Sequence, residues 1–179
     1  MNIWKLFATR ERFDTLKCAF EKEKVSVEEL ARELNLSKGF VSQFLRILEG
    51  EGLLRREDRK YIVNDTAITR TLKVFINTAT IHEILMKHKK DWMESLGFYG
   101  SFASGKNKED SDVDVWIKVS KYPGEKEVAR IERELSDELG KRVHILVLTP
   151  ERLGRLKKDD FVFYCELKHS VVIWGEGIE

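Results

Sequence analysis

The chain has few of the residues that mark secreted, metal-stabilised or membrane proteins. Its 179 residues include only two cysteines, Cys18 and Cys165, which lie far apart and form no pair with metal-ligand spacing. No stretch approaches the ~20 apolar residues of a membrane helix, and the first residues carry no apolar segment followed by a small-residue cleavage site. We therefore expect a cytoplasmic protein with reduced thiols and no membrane span.

An excess of charge of one sign is also absent. The 32 basic and 31 acidic residues leave a net charge of +1. Residues 1–65 carry 13 basic and 12 acidic side chains, residues 66–96 carry 5 and 3, and residues 97–179 carry 14 and 16. This balance excludes a polycationic nucleic-acid binder, so any contact with DNA must come from a local patch.

The pattern of apolar residues changes twice along the chain. Helical periodicity and a short basic hairpin predict one domain over residues 1–64, and Ser26 with Glu29 has the pattern of a capping box. A long connecting helix, capped by Asp65–Thr66, is predicted over residues 65–95. Strands that alternate with helices predict an α/β (α+β) domain over residues 96–179.

Residues 10–64 resemble the winged helix-turn-helix of bacterial and archaeal transcription regulators in the order and spacing of their elements. The third helix has an apolar stripe, and its opposite face would meet base edges in the major groove, while wing arginines would neutralise phosphates. The alternative is a winged helix that binds another protein. The candidate DNA-binding residues are Lys38, Ser42, Gln43 and Arg46 on the helix and Arg55, Arg56, Arg59 and Lys60 on the wing.

The connecting helix carries more apolar surface than an isolated helix can expose. Ile68, Leu72, Phe75, Ile76 and Trp92 are among the residues that recur at helical spacing. Such a surface needs a partner, either the chain's own domains or a second copy. Because winged helices often read DNA as symmetric pairs, we expect a homodimer.

Two polar clusters in the last domain have the residue types of a phosphate and metal site. Gly100 and Ser101 stand where a strand gives way to a helix, so that backbone N–H groups can approach a phosphate. Asp112 and Asp114 alternate with aliphatic residues on the next strand, which places both carboxylates on one face. They would repel each other unless they share a divalent cation, for which Mg²⁺ is the usual choice.

The spacing of these clusters, Gly-Ser, ten residues, then Asp-Val-Asp, resembles that of the polymerase-β-like nucleotidyltransferases, especially the minimal nucleotidyltransferases. The resemblance implies a mixed sheet with flanking helices over residues 96–179 and AMP transfer from ATP, or another NTP, to a hydroxyl. It places Gly100 and Ser101 on the nucleotide phosphates, with Ser104 and Lys106 in the same turn, and Asp112 and Asp114 on Mg²⁺ or Mn²⁺. It also implies a partner, because some members are antitoxins that adenylylate a HEPN-type ribonuclease toxin.

One position departs from the family pattern. The family has a third carboxylate on the strand that corresponds to Arg142–Leu148, and this chain has His144 there, on the face of the aspartates. A histidine can act as a base near neutral pH, but it is a poor Mg²⁺ ligand and suits Mn²⁺ or Zn²⁺ better. Two alternatives remain open: an enzyme with altered catalysis, or a transcription regulator whose nucleotidyltransferase domain only binds nucleotide or a partner.

Overall fold

The computed structural model describes residues 4–179. The chain forms two compact units, one that ends at Lys73 and one that comprises Val74–Glu179. Among the described residues, no helix combines the length and the apolar character that crossing a membrane requires.

The first unit is a winged helix. Its elements are α1 (Trp4–Phe7), α2 (Arg10–Glu21), β1 (Lys24–Val25), α3 (Val27–Glu33), α4 (Lys38–Gly50), β2 (Leu54–Glu57) and β3 (Lys60–Val63). The strands form a three-stranded antiparallel sheet in the order β1-β3-β2, which confirms the predicted hairpin of β2 and β3. The additional strand β1 has two residues, too few to show strand periodicity in the sequence.

Side-chain caps set where the two central helices of this unit begin. The Ser26 hydroxyl accepts from the Glu29 N–H at 3.2 Å, and the Glu29 carboxylate accepts from the Ser26 N–H at 2.9 Å, so the predicted capping box is confirmed. Ser37 caps α4 by accepting from the Phe40 N–H at 3.2 Å.

The thiol of Cys18 is buried in the first unit. Its burial, and to a smaller extent the nearby Glu33 carboxylate, raise its pKa to about 12. This thiol is therefore protonated and unreactive at neutral pH.

A single helix, α5 (Ala67–Lys87), contributes residues to both units. Its predicted cap is confirmed, because the Thr66 hydroxyl accepts from the Thr69 N–H at 3.2 Å. The helix ends at Lys87, however, and not near residue 95 as predicted. The polar run His88–Asp91 interrupts the apolar stripe, and the Met93 N–H then donates to the Lys90 carbonyl in a turn that buries the Met93 side chain.

The second unit is built on a four-stranded mixed sheet. Its elements are β4 (Ser95–Tyr99), α6 (Gly100–Ser104), β5 (Val113–Lys118), α7 (Glu125–Leu139), β6 (Val143–Leu148), α8 (Pro150–Asp159), α9 (Phe161–Lys168) and β7 (Val171–Trp174). The strand order is β6-β5-β4-β7. Strand β4 pairs antiparallel with β5 and β7, and β5 pairs parallel with β6, which confirms the predicted mixed sheet with flanking helices. Helix α9 was not predicted, because its apolar residues show no helical stripe.

The two faces of this sheet are covered by different helices. Alternate residues of β5, such as Val113 and Val115, pack into a core with apolar side chains of α5 and α7. The other face of β5 carries Trp116, which packs with side chains of α9 and β6. Asp114, two residues before Trp116, shares this second face and is only half-buried. The site therefore lies at the end of a face that α8 and α9 otherwise cover.

Gly97 in β4 provides a test of this packing. A Cβ at residue 97 would lie 2.3 Å from the Val171 carbonyl oxygen and 2.6 Å from the Trp116 ring. We expect Gly97→Ala to lower the free energy of unfolding by about 3 kcal/mol or more, because backbone and a buried ring cannot both move aside. Chemical denaturation of the full chain measures this.

The matched control is Gly154→Ala in α8, where an added Cβ meets nothing within 4 Å. Because alanine favours the helix, it should raise the free energy of unfolding by about 0.5–1 kcal/mol. Equal stabilities of the two variants would contradict the described packing around Trp116.

Candidate active site

The Gly-Ser turn and the Asp-Val-Asp strand meet in the folded chain. Tyr99 and Asp114 are directly opposite each other in the antiparallel pair β4·β5. Gly100, the next residue, has a φ of +69°, and a Cβ added there would lie 2.7 Å from the Asp114 carboxylate oxygen Oδ2. A residue with a Cβ would be strained in this backbone conformation and would displace the carboxylate. The ten-residue spacer therefore loops out and brings the two halves of the motif into contact.

His144 lies beside both aspartates. It is opposite Asp114 in the parallel pair β5·β6, and its Nε2 is 3.3 Å from Asp112 Oδ2. The structure thus places His144 on the face where the sequence predicted it. Its part in catalysis stays a prediction.

The surroundings of Asp114 disfavour the ionised form of its carboxyl group. Burial raises the pKa of its carboxyl above the ordinary value. The neighbouring carboxylates Asp112 and Glu166 raise this pKa further, and His144 opposes them by lowering it. A bound cation would relieve the burial and the repulsion at once.

A cavity of about 480 Å³ opens beside the Gly-Ser turn. This volume lies within the range of small-molecule sites. All four residues predicted to bind nucleotide line it, although the Ser104 hydroxyl donates to the carbonyls of Gly100 at 3.0 Å and Ser101 at 3.3 Å in its own helix. The lining residues are Tyr99, Gly100, Ser101, Ala103, Ser104, Lys106, Glu166, His169 and Ser170.

The wall formed by α9 and the residues after it contains two residues that the sequence analysis missed. Neither Glu166 nor His169 belongs to a sequence motif. His169 is exposed, but it also lines the cavity. Its Nδ1 is 2.7 Å from the Cys165 carbonyl oxygen, so Nδ1–H donates there and the ring is held in one orientation. No sequence signal pointed to either residue, because α9 itself was not predicted.

A further carboxylate, Glu132 on α7, lies next to His144. Its Oε1 accepts from the Ile145 N–H at 3.0 Å and is 3.8 Å from His144 Nδ1. Ser136, one turn later, accepts from the Val143 N–H at 3.0 Å. These two side chains satisfy the N–H groups of the edge strand β6 and hold it beside α7.

The donor set fits a cation that arrives with its substrate. Within residues 4–179, no group of three or more His, Cys, Asp or Glu side chains is arranged to hold a metal ion. Mg²⁺ typically uses one or two carboxylates together with substrate phosphates, and Asp112 and Asp114 supply two. The nearby His144 nitrogen would suit Mn²⁺ better than Mg²⁺.

The first unit presents the predicted polar face of α4. Lys38, Gln43 and Arg46 are exposed, and Ser42 is half-buried. Over residues 4–179, the side chains of Lys38 and Arg46 form neither an ion pair nor a hydrogen bond, which leaves both cations available to a ligand.

The wing cations are less available. Arg55 donates to the Glu57 carboxylate at 3.2 Å, Arg56 donates to the Asp58 carbonyl at 3.0 Å, and Lys60 lies 3.6 Å from a Glu29 carboxylate oxygen. Arg59, at the tip, has no such partner in the described part of the chain. Of the predicted wing residues, Arg59 is therefore the best placed to meet a phosphate.

The raised pKa of Asp114 predicts a stability gain for Asp114→Asn. Because the pKa of this carboxyl is higher in the folded protein than in the unfolded chain, the wild-type chain loses stability as the pH rises from the ordinary pKa of aspartate through the raised pKa of the folded state. With EDTA present, we expect the variant to melt higher by roughly 2 °C at pH 7 and to show no gain near about pH 3. The measurement is thermal denaturation at both pH values.

Asp110→Asn is the control, because Asp110 is exposed in the loop before β5. It should leave the melting temperature unchanged at both pH values. A lower melting temperature for Asp114→Asn at pH 7 would show that the Asp114 carboxylate stabilises the metal-free protein, contrary to this prediction.

Comparison with known families agrees with both units. The sequence model of the nucleotidyltransferase domain matches residues 81–168, and that of the MarR family matches residues 8–60. A search of solved structures found a partial likeness to a toxin–antitoxin crystal structure with AMP-PNP (TM-score 0.42, 16% identity, 56% of this chain and 74% of that one). Another is a complex of a tri-AMPylated HEPN toxin of Shewanella oneidensis with an MNT antitoxin (TM-score 0.39, 13% identity, 57% and 73%).

Two archaeal proteins are similar in sequence. The protein adenylyltransferase MntA of Thermococcus cleftensis is 33% identical over 82 residues, which cover 43% of this chain and 83% of that protein. A putative protein adenylyltransferase of Methanocaldococcus jannaschii is 34% identical over 71 residues, which cover 37% and 83%. With the Gly-Ser turn set against Asp114 and a winged helix before it, the chain belongs to the nucleotidyltransferase family of these adenylyltransferases.

Proposed function

We propose that the protein is a metal-dependent nucleotidyltransferase that transfers AMP from ATP to a hydroxyl group of a protein. The observation that carries the proposal is the contact of Gly100 with the Asp114 carboxylate at the edge of a cavity of nucleotide size. The names of the two archaeal relatives support a protein as the acceptor.

Each residue of the site has a role in this reaction. Gly100 and Ser101 hold the phosphate chain with Lys106, while Asp112 and Asp114 hold Mg²⁺ or Mn²⁺. In the transfer the acceptor oxygen bonds to the α-phosphorus and pyrophosphate leaves. A bound cation would neutralise the negative charge of the phosphates. His144 Nε2, beside Asp112, accepts the proton of the acceptor hydroxyl, and Glu132 faces the other ring nitrogen.

For the acceptor we propose a small HEPN-type ribonuclease, as the resemblance to the minimal nucleotidyltransferases implies. The chain would then be the antitoxin of the pair, and its winged helix would let it regulate its own operon. A second function is favoured by one observation, the histidine at position 144. In that case the domain binds nucleotide or a partner protein without transfer, and the chain acts as a transcription regulator.

The proposal is tested first by calorimetry with ATP in the presence of Mg²⁺ or Mn²⁺. The wild-type chain should bind ATP in a metal-dependent manner, and Asp112→Ala/Asp114→Ala should lose that dependence because the cation ligands are gone. The control pair Asp110→Ala/Glu109→Ala removes two exposed carboxylates from the preceding loop and should bind normally. Absence of ATP binding with either metal would exclude the enzyme.

Transfer itself is tested with α-labelled ATP and a co-expressed HEPN-type protein encoded beside the chain. His144→Ala should bind ATP normally but transfer AMP about a hundredfold more slowly, since a general base is lost. His144→Asp should restore transfer and shift the metal preference toward Mg²⁺. If ATP binds but no label moves in any variant, the transcription regulator is the correct function.

We also propose that the first unit binds DNA as part of a homodimer, with α4 in the major groove and Arg59 on a phosphate. The MarR match and the available cations of α4 support this. Arg46→Ala should weaken binding to DNA upstream of the chain's own coding sequence by about 1–3 kcal/mol. Arg59→Ala should reduce the salt dependence of the affinity by about one counterion.

Fluorescence anisotropy over a series of salt concentrations measures both effects. Lys126→Ala, which removes an exposed lysine from α7, is the charge-matched control and should bind as the wild type does. If all three variants bind DNA with equal affinity and equal salt dependence, α4 and the wing are not the DNA interface.

A further inference from the structure

We infer that Asn77 on α5 is a positioning residue that holds the Gly100–Asn107 segment in the conformation that binds the nucleotide phosphates. This inference rests on the proposed function, because it assigns Asn77 to the same site. Asn77 does not line the cavity, and its two hydrogen bonds go to Phe102 and Asn107, which are not among the predicted nucleotide-binding residues, so its effect acts through the segment.

Asn77 is buried, and its amide nitrogen makes two hydrogen bonds to this segment. Nδ2 donates to the Phe102 carbonyl at 2.8 Å and to Asn107 Oδ1 at 2.9 Å. Asn77 is 6% exposed and Asn107 is fully buried, so both bonds are shielded from water. Buried polar groups are costly unless paired, which makes this pairing a strong constraint on the segment.

The turn after α6 does not supply a backbone donor to the Phe102 carbonyl, which accepts from Asn77 instead. Helix α6 ends at Gly105 with a φ of +68°, and the N–H groups of Gly105, Lys106 and Asn107 all turn back to the Ser101 carbonyl. Because these three N–H groups donate to Ser101, none of them is available to the next carbonyl, that of Phe102, at the end of the helix. The amide of Asn77 satisfies it from outside the segment.

The two bonds fix the segment on both sides of Lys106. Phe102 follows Ser101 directly, and Asn107 follows Lys106, and both Ser101 and Lys106 line the cavity. Loss of the Asn77 amide would free the end of α6 and the following turn together. The phosphate contacts would then have to be ordered at the expense of binding energy.

The variant Asn77→Asp tests the inference with almost no change in volume. An ionised carboxylate cannot donate, and it would face two acceptor oxygens. Calorimetry with ATP and Mg²⁺ should show an affinity at least about tenfold lower than that of the wild type, as expected for a buried hydrogen-bond partner lost. Affinity for inorganic tripolyphosphate with Mg²⁺ should fall by the same factor, because the segment holds phosphates and not the base.

The matched control is Thr78→Val on the same helix. The Thr78 hydroxyl donates to the Val74 carbonyl at 2.8 Å within α5, so its loss does not touch the segment. This variant should bind ATP as the wild type does. If Asn77→Asp does not fold by circular dichroism, Asn77→Ala replaces it, since it removes both hydrogen bonds without burying a charge.

Hydrogen exchange in the absence of nucleotide separates this inference from the proposed function. The amides of Lys106 and Asn107 should exchange about tenfold faster in the Asn77 variant than in the wild type, whether or not the chain binds ATP. Unchanged exchange of these amides, or an unchanged ATP affinity in a folded variant, would overturn the inference. A wild-type chain that fails to bind ATP would overturn the proposed function alone.

Discussion

The close approach of Gly100 to the Asp114 carboxylate is the constraint on which the site depends. It requires a positive φ at the end of β4, a residue without a Cβ, and direct pairing of Tyr99 with Asp114 across β4·β5. These conditions bring together the turn that we propose to bind phosphates and the carboxylate that we propose to bind a cation. The cost is a carboxylate held among other carboxylates, with its pKa raised mainly by burial.

The two faces of the sheet are packed differently, and this difference leaves the aspartates accessible. One face packs against α5 and α7 and supplies the apolar core, while the other is covered by α8 and α9 only beyond Trp116. Asp114 therefore lies on β5 and Asp112 lies just before it, and both remain half-exposed. Glu132 and Ser136 close the outer edge at β6, so His144 is held in a fixed strand beside Asp112. Side chains held in this way need little reordering to bind a ligand.

The sequence predicted the local features well, because they arise from interactions between near neighbours. Ser26 and Glu29, three residues apart, formed the expected capping box, and the Asp-Val-Asp alternation placed both carboxylates on one face. The sequence pattern predicted α5 to extend beyond its actual end at Lys87, and it did not predict β1 or α9. Two residues cannot show a period, and the apolar residues of α9 carry no stripe, so tertiary packing and the Asp160 cap decided those elements.

By itself, the sequence determined the order of the two domains and the helix caps. It also determined the Gly-Ser and Asp-Val-Asp parts of the motif and the histidine at position 144. Each of these features depends only on residue types and short spacings. Only the tertiary structure decided that Gly100 touches Asp114, that Glu132 faces His144, that Glu166 and His169 line the cavity, and that Asn77 holds the Phe102 carbonyl. These contacts join residues 12 to 69 positions apart. Side chains so distant in sequence meet only when strand pairing and helix packing bring them together, and no local pattern encodes that meeting.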